Sequence, residues 1–226
     1  MADMAAQIGV SATTIRRDLN DLAKAGVLRR VHGGAHAMPE QGDDPFQIVA
    51  TVNTEAKDAI AARCAALVKD DQIVILDIGT TAARIASALR GRRLTIVTSS
   101  LAVVDILAQE PDIELIVLGG LLRRDYRSLV GYLTEDALRQ IRADVLFLGC
   151  SGIRRNGDVM DTTVVEVPIK RAMIDASDSV ILAGDASKFP GHGAARVASA
   201  RSLDAVVTTK GLDPGTRAAL QAAKVR

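Results

Sequence analysis

The stretch "LDIGTTAARIASAL" (Leu76–Leu89) holds residues whose types and spacing could do chemistry. An apolar run ends at Asp77, Gly79 permits a tight turn, and Thr80 and Thr81 open an amphipathic helix. Backbone N–H groups at a helix start, two hydroxyls and the positive end of the helix dipole suit a phosphate. Asp77 would repel a phosphate directly, so it is expected to accept a hydrogen bond from a sugar hydroxyl or from the loop backbone. Read alone, the same residues also describe a simple helix cap after a strand. Small residues, hydroxyls and cations recur after other apolar runs: Thr98-Ser99-Ser100, Gly119-Gly120 with Arg123, Ser151-Gly152, and Asp185 with Ser187-Lys188. Together they predict a small, polar, anion-tolerant pocket in which Arg123 and Lys188 neutralise charge. Lys170 is a further candidate, although its i, i+4 spacing from Glu166 also fits a solvated helix pair.

The second stretch is "SATTIRRDLNDLAKAGVLRRVHGGA" (Ser11–Ala35). Ser11 can cap a helix in which Ile15, Leu19 and Leu22 form one buried stripe. Thr13, Thr14, Arg16, Arg17 and Asn20 fall off that stripe or precede it. Gly26 is placed to stop the helix. The following "VLRRVHGG" alternates apolar and basic residues and reads as a strand and turn, a wing carrying Arg29, Arg30 and His32. With Met4, Ala5 and Ile8 on an earlier short helix and a turn at Gly9, this is helix, turn, helix and wing. The early turns of the second helix fit a major groove, and the wing fits the DNA backbone.

Both stretches need a scaffold. Apolar runs at Gln72–Asp77, Leu94–Thr98, Ile113–Gly119, Asp144–Gly149, Ser179–Gly184 and Asp204–Thr209 predict strands. Helical patterns lie between most of them, at Thr80–Leu89, Leu101–Ala108, Tyr132–Ile141, Val165–Ala176 and Pro214–Ala223. This alternation predicts an α/β fold: a mostly parallel, Rossmann-like sheet with helices on both faces, whose ligands bind beyond the carboxyl ends of the strands. Residues 1–36 read as the DNA-binding domain, 37–54 as a linker and 55–226 as the effector domain. In the linker, "HAMPEQGDDPFQIVATVNT" mixes Pro, Gly and acidic residues, and Lys57 just beyond it reads as a solvated helix lysine.

The 226 residues are 48% hydrophobic and 24% charged, with a net charge of +1. No global field draws the chain to nucleic acid or membrane, so DNA binding must come from the local arginine patch. Aromatic content of 2% argues against base-stacking platforms for single strands. Cys64 and Cys150 read as buried thiols in a reducing cytoplasm. Neither a signal peptide nor a membrane span is expected. No cofactor or metal is expected.

Ser11, Thr14-Ile15-Arg16-Arg17-Asp18-Leu19 and Arg30-Val31-His32-Gly33-Gly34-Ala35 resemble the signature of DeoR-type bacterial transcriptional repressors. The resemblance continues through Asp77-Ile78-Gly79-Thr80-Thr81, Gly119-Gly120, Arg123, Ser128 with Gly131, and Leu148-Gly149-Cys150-Ser151-Gly152-Ile153. It extends to Glu166 with Lys170-Arg171, and to Asp185-Ala186-Ser187-Lys188-Phe189. It implies a DNA-reading head, in which Asp18 orients a neighbouring arginine, and an effector domain related in fold to sugar-phosphate isomerases that binds a phosphorylated sugar. Such proteins carry a further helix before the position where this chain starts. Without it the stripe Ile15, Leu19 and Leu22 is expected to lack a burial partner, and operator binding to be weak. Three further departures are Ser99 in place of an amide, Lys210 where an acidic residue is usual, and an insertion-like "PGHGAAR" after Phe189.

The expected function is therefore a cytoplasmic, homo-oligomeric repressor of a carbohydrate-catabolism operon, bound to double-stranded operator DNA and controlled by a phosphorylated sugar or polyol. Two heads are needed because one small reading head contacts few bases. The rival is a sugar-phosphate isomerase or deaminase, for which Asp77, Asp161, Glu166 and Asp185 would compete as base. No compact base-plus-acid arrangement stands at motif spacing, so an enzyme is not expected, and Cys150 lacks a partner histidine for nucleophilic catalysis. A pure interaction module without a pocket is the third class.

Overall fold

The computed structural model describes Ala5, residues 8–24, 28–31 and 34–37, and residues 45–226. The chain divides into two compact units, Met1–Asp44 and Pro45–Arg226.

In the first unit α1 (Ala12–Lys24) is followed by β1 (Leu28–Val31) and β2 (Gly34–Ala37). The Ser11 hydroxyl accepts the Thr14 N–H at 3.1 Å and so satisfies one of the orphan donors at the helix start. Gly9, at φ 75, donates to the Ala5 carbonyl and turns the chain into that cap. β1 and β2 pair antiparallel from Leu28↔Ala37 to Val31↔Gly34. Ile15 and Leu19 are 6% and 7% exposed, and Ala5 is buried too. The stripe expected to lack a burial partner is thus buried at both of its described positions.

The second unit opens with α2 (Phe46–Ala50) and α3 (Thr54–Ala65), so the stretch read as a linker carries a helix of its own. There follow β3 (Ile73–Leu76), α4 (Thr80–Ala88), β4 (Leu94–Thr98), α5 (Leu101–Leu107) and β5 (Ile113–Val117). A hairpin of β6 (Leu121–Arg123) and β7 (Ser128–Val130) leads to α6 (Tyr132–Arg139) and β8 (Val145–Leu148). Next come β9 (Gly152–Ile153), β10 (Asp158–Asp161), α7 (Val167–Asp175), β11 (Val180–Ala183), β12 (Ala195–Ser199), β13 (Ala205–Val207) and α8 (Pro214–Ala222).

Six strands form one sheet in the order β13-β11-β8-β3-β4-β5, with every pairing parallel. Side chains alternate faces with a period of two. On one face Val74, Leu76, Ile96, Val145, Phe147 and Ile181 pack with Ile60 and Cys64 of α3, Ile85 of α4 and Val103 of α5. On the other, Ile75, Val97, Leu146, Leu148 and Leu182 pack with Leu138 of α6, Ile169 and Met173 of α7 and Leu220 of α8. Burial on both faces explains the nearly unbroken apolar runs of the strands. The chain lays β4 and β5 on one side of β3, then crosses to β8 on the other. β3 and β8 therefore flank the topological switch point, where an open α/β sheet leaves a crevice beyond its carboxyl ends.

Two smaller sheets were not expected: the β6-β7 hairpin and an antiparallel sheet in the order β12-β10-β9. The insertion-like "PGHGAAR" feeds β12. A Cβ on Gly152 would lie 2.4 Å from the Gly191 Cα, and Gly191 donates to the Ile153 carbonyl at 2.8 Å. Those glycines let two backbones touch, so the segment is part of the fold.

Phe147 is among the largest fully buried side chains and stands on a central strand. Phe147→Ala should lower unfolding free energy by about 3–5 kcal/mol in urea titration; a loss below about 1 kcal/mol would contradict this placement of the core.

Candidate effector-binding site

The carboxyl ends of the six parallel strands share one edge of the sheet, and the polar residues after them meet there. Asp77 follows β3 and is 1% exposed. Its Oδ2 accepts the Gly149 N–H from the end of β8 at 2.9 Å, and the same oxygen receives the Lys170 ammonium. Lys170 reaches this point from α7, also donates to the Gly149 carbonyl at 3.1 Å, and lies 3.5 Å from Asp161 Oδ2. Burial disfavours the Lys170 ammonium, but the Asp77 and Asp161 charges outweigh it and hold its pKa above the ordinary lysine value. A lysine buried to 2% exposure is tenable only with such partners.

Beside this pair stands a second. Arg123, closing β6, donates to Glu166 Oε1 at 2.5 Å. The Ser128 hydroxyl donates to the same oxygen at 2.7 Å. Glu166 is 1% exposed, and burial pushes its carboxyl above the usual range against the opposing pull of Ser128, Lys170 and Arg123. Four buried side-chain oxygens have no hydrogen-bond partner among the described residues: Asp77 Oδ1, Glu166 Oε2, Ser99 Oγ and, just after β13, Thr208 Oγ1. A buried acceptor left unpaired costs about 1–3 kcal/mol, so these atoms call for donors.

At the start of α4, Gly79 has φ 97 and its carbonyl accepts from Ala83 at 3.1 Å. Thr80 is buried and Thr81 half-buried. This nine-residue helix has no side-chain cap at its N-terminus, and the first amides of a helix carry the positive end of its dipole. Ser99 and Ser100 follow β4, and Ser100 caps α5 through the Val103 N–H at 3.4 Å. After β11, Asp185 Oδ1 accepts the Ser187 N–H at 3.0 Å and the Asn53 amide at 3.2 Å. Lys188 stands in the same turn, half-buried, with no ion pair among the described residues; its charge is felt at Cys150.

In the N-terminal unit, Ser11, Thr13, Arg16 and Arg17 are exposed, and Thr14 is half-buried. Arg17 lies 3.8 Å from Asp18, a solvated pair of little energetic weight. Arg29 and Arg30 occupy β1 opposite His36 and Ala35. His32 lies outside the described residues, as do Gly26 and the side chains of Leu22, Arg29 and Arg30.

The smaller unit and most of the larger one each match a known domain: the DeoR-like helix-turn-helix domain over residues 1–41 and the DeoR C terminal sensor domain over residues 52–210. The chain belongs to the DeoR family. It is 36% identical over 207 residues to the glycerol-3-phosphate regulon repressor of Escherichia coli (strain K12), covering 91% of this chain and 82% of that one. Among solved structures, eIF2B delta from Chaetomium thermophilum shares the fold at a TM-score of 0.51 and 15% identity, over 71% of this chain and 58% of that one. Ribose 5 phosphate isomerase A from Neisseria gonorrhoeae aligns at 0.46 and 17%, over 63% and 56%. The chain thus spans less than two thirds of either solved protein. A DeoR-family regulator with a DNA-binding head and a sensor domain accounts for both units.

Within this DeoR-family sensor domain several sequence expectations change. Glu166 and Lys170 are not a solvated i, i+4 pair; both are buried and their closest partners lie elsewhere. Lys57 is not a solvated lysine either: it is 4% exposed and donates to the Val49 carbonyl at 2.6 Å. Arg123 is engaged by Glu166. Gly120 is explained by packing, since a Cβ on it would lie 2.4 Å from Thr134 Oγ1, whereas a Cβ on Gly119, whose carbonyl accepts from Thr134 at 2.5 Å, would meet nothing within 4 Å. A compact set of carboxylates around a lysine does exist, formed by Asp77, Asp161 and Glu166. Motif spacing missed it because the partners come from different elements.

Lys170→Met should cost about 3–5 kcal/mol in urea unfolding, because Asp77 would keep a buried, unpaired charge. Adding Asp77→Asn should restore part of the loss, and strictly additive losses would contradict direct pairing. Burial pushes the Cys64 and Cys150 thiols up to about 12. Both should alkylate with iodoacetamide at pH 8 at least about tenfold slower in the folded chain than in urea; equal rates at Cys150 would contradict its protonated state.

Proposed function

We propose that this DeoR-family regulator is a cytoplasmic, homo-oligomeric repressor of a carbohydrate-catabolism operon, released from or retained on operator DNA by a phosphorylated sugar or polyol. The reading head acts through Thr13, Arg16 and Arg17 at base edges. Ser11, Thr14, Arg29, Arg30 and His32 serve the DNA backbone. The effector occupies the strand-end rim. The carrying observation is the set of unpaired buried oxygens, Asp77 Oδ1, Glu166 Oε2 and Ser99 Oγ, with the N-terminus of α4 three residues beyond Asp77. Carboxylate oxygens accept hydrogen bonds and repel anions, so they favour the hydroxyls of a polyol. The amides at Gly79, Thr80 and Thr81 favour its phosphoryl group. Lys188 supplies charge, Lys170 holds Asp77 in place, Arg123 holds Glu166, and Asp185 shapes the turn that carries Lys188. The name of the Escherichia coli relative supports a phosphorylated polyol, glycerol 3-phosphate, as the first effector to try.

A second reading, a sugar-phosphate isomerase or deaminase, is favoured by one observation, the carboxylate–lysine cluster itself. Each member is tied by an ion pair, which suits a fixed receptor better than a proton shuttle. Turnover of sugar phosphates by the purified chain would support that reading.

Arg16→Ala should weaken operator binding by about 1–3 kcal/mol if the side chain meets a base, and reduce the salt slope if it meets a phosphate. Lys188→Ala should leave operator affinity unchanged and weaken effector binding about tenfold, ~1.4 kcal/mol by titration calorimetry. Unchanged effector affinity in Lys188→Ala would remove Lys188 from the site.

A further inference from the structure

The first residues of the larger unit are tied to the effector rim at two points. Phe46 donates its backbone N–H to the Asp125 carbonyl at 2.9 Å. Its ring meets Tyr126 edge-on, with centroids 6.4 Å apart and planes at 85°. Tyr126 lies across the Gly79 turn: a Cβ built on Gly79 would be 3.5 Å from the Tyr126 hydroxyl, the nearest side chain to that position. The Arg123 guanidinium, bonded to Glu166, stands 5.5 Å over the same ring. The second tie is Asn53, held at φ 52, whose amide donates to Asp185 Oδ1 at 3.2 Å. Asp185 caps the turn that carries Lys188. Between the ties, buried Lys57 pins the Val49 carbonyl at 2.6 Å.

We propose that residues 45–53 form a strap that reads occupancy of the effector rim and passes it to the DNA-reading head. The inference rests on the effector reading above. A phosphoryl group seated on the first amides of α4 must share the Gly79 turn with Tyr126. Tyr126 is also the seat of Phe46, so accommodating the ligand shifts Phe46. A ligand that draws on Lys188 loads the Asp185 turn and with it Asn53. Among the described residues, the strap's ties to the rim include an edge-on ring contact, a backbone hydrogen bond and a side-chain hydrogen bond. Each is individually modest, so a ligand with differential contacts can shift the balance. Pro45 is the first residue of the larger unit, so a displaced Phe46 acts on the covalent connection to the reading head. Tyr126 and Phe46 are thus positioning residues for the response.

The test uses the full chain, glycerol 3-phosphate, and a DNA fragment selected by the wild-type protein from a random-sequence pool. Phe46→Ala should bind glycerol 3-phosphate within about twofold of wild type by calorimetry, yet lose the ligand-dependent change in DNA affinity, while Phe46→Tyr should keep it. A full ligand response in Phe46→Ala overturns the strap. Absence of glycerol 3-phosphate binding in wild type would instead count against the choice of effector, and the strap is then decided without ligand. Tyr126→Ala should speed hydrogen exchange of the Phe46 amide roughly tenfold, and unchanged exchange there overturns it.

Discussion

The larger unit depends on one constraint: a charged lysine and a charged aspartate placed out of water at the switch point of a parallel sheet. Lys170 comes from α7 and Asp77 from the end of β3, and Gly149 from the end of β8 binds both. Three elements therefore meet through a single ion pair. Desolvating two ions is expensive, and an apolar replacement of equal volume would serve stability as well or better. A pair retained at such cost, with one carboxylate oxygen still unpartnered, is understood as a rigid acceptor for something else. Rigidity at that spot comes from the pair, and chemistry from the oxygen it leaves over.

The rest of the rim follows the same logic. Glu166 is held by Arg123 and Ser128 through one oxygen, and its other oxygen remains available to a donor. The cations expected to meet an anion divide into two kinds. Arg123 and Lys170 fix carboxylates; Lys188 has no such engagement among the described residues. Negative charge on the ligand is then left to Lys188 and to the amides that open α4. This division separates the polyol part of the rim from its anion part, and it explains how a rim rich in carboxylates can suit a phosphorylated ligand.

Much of this was legible in the sequence, for physical reasons that differ by element. The strands of the main sheet were readable to within one or two residues, because the central strands are covered on both faces and must be apolar along nearly their whole length. The Ser11 cap was readable because it works within one turn of helix. The β6-β7 hairpin was not, because its strands are three residues long and Leu121 and Leu122 point their apolar surface outward. Nor was the β12-β10-β9 sheet, whose β9 is two residues long and whose β12 comes from a distant stretch. The site was legible by its stations and hidden in its pairings. Asp77 and Lys170 are 93 residues apart, whereas the four-residue step from Glu166 to Lys170 suggested a surface pair. Tyr126 gave no signal, since a lone aromatic in a polar loop reads as ordinary surface.

The most direct measurement is a crystal structure of the chain soaked with glycerol 3-phosphate and, in parallel, with glycerol alone. Density is expected at the carboxyl rim, with hydroxyls on Asp77 Oδ1 and Glu166 Oε2 and the phosphoryl group on the amides of Thr80 and Thr81. This placement is contradicted if the phosphorylated compound lies elsewhere, or if those oxygens are satisfied by the protein's own side chains.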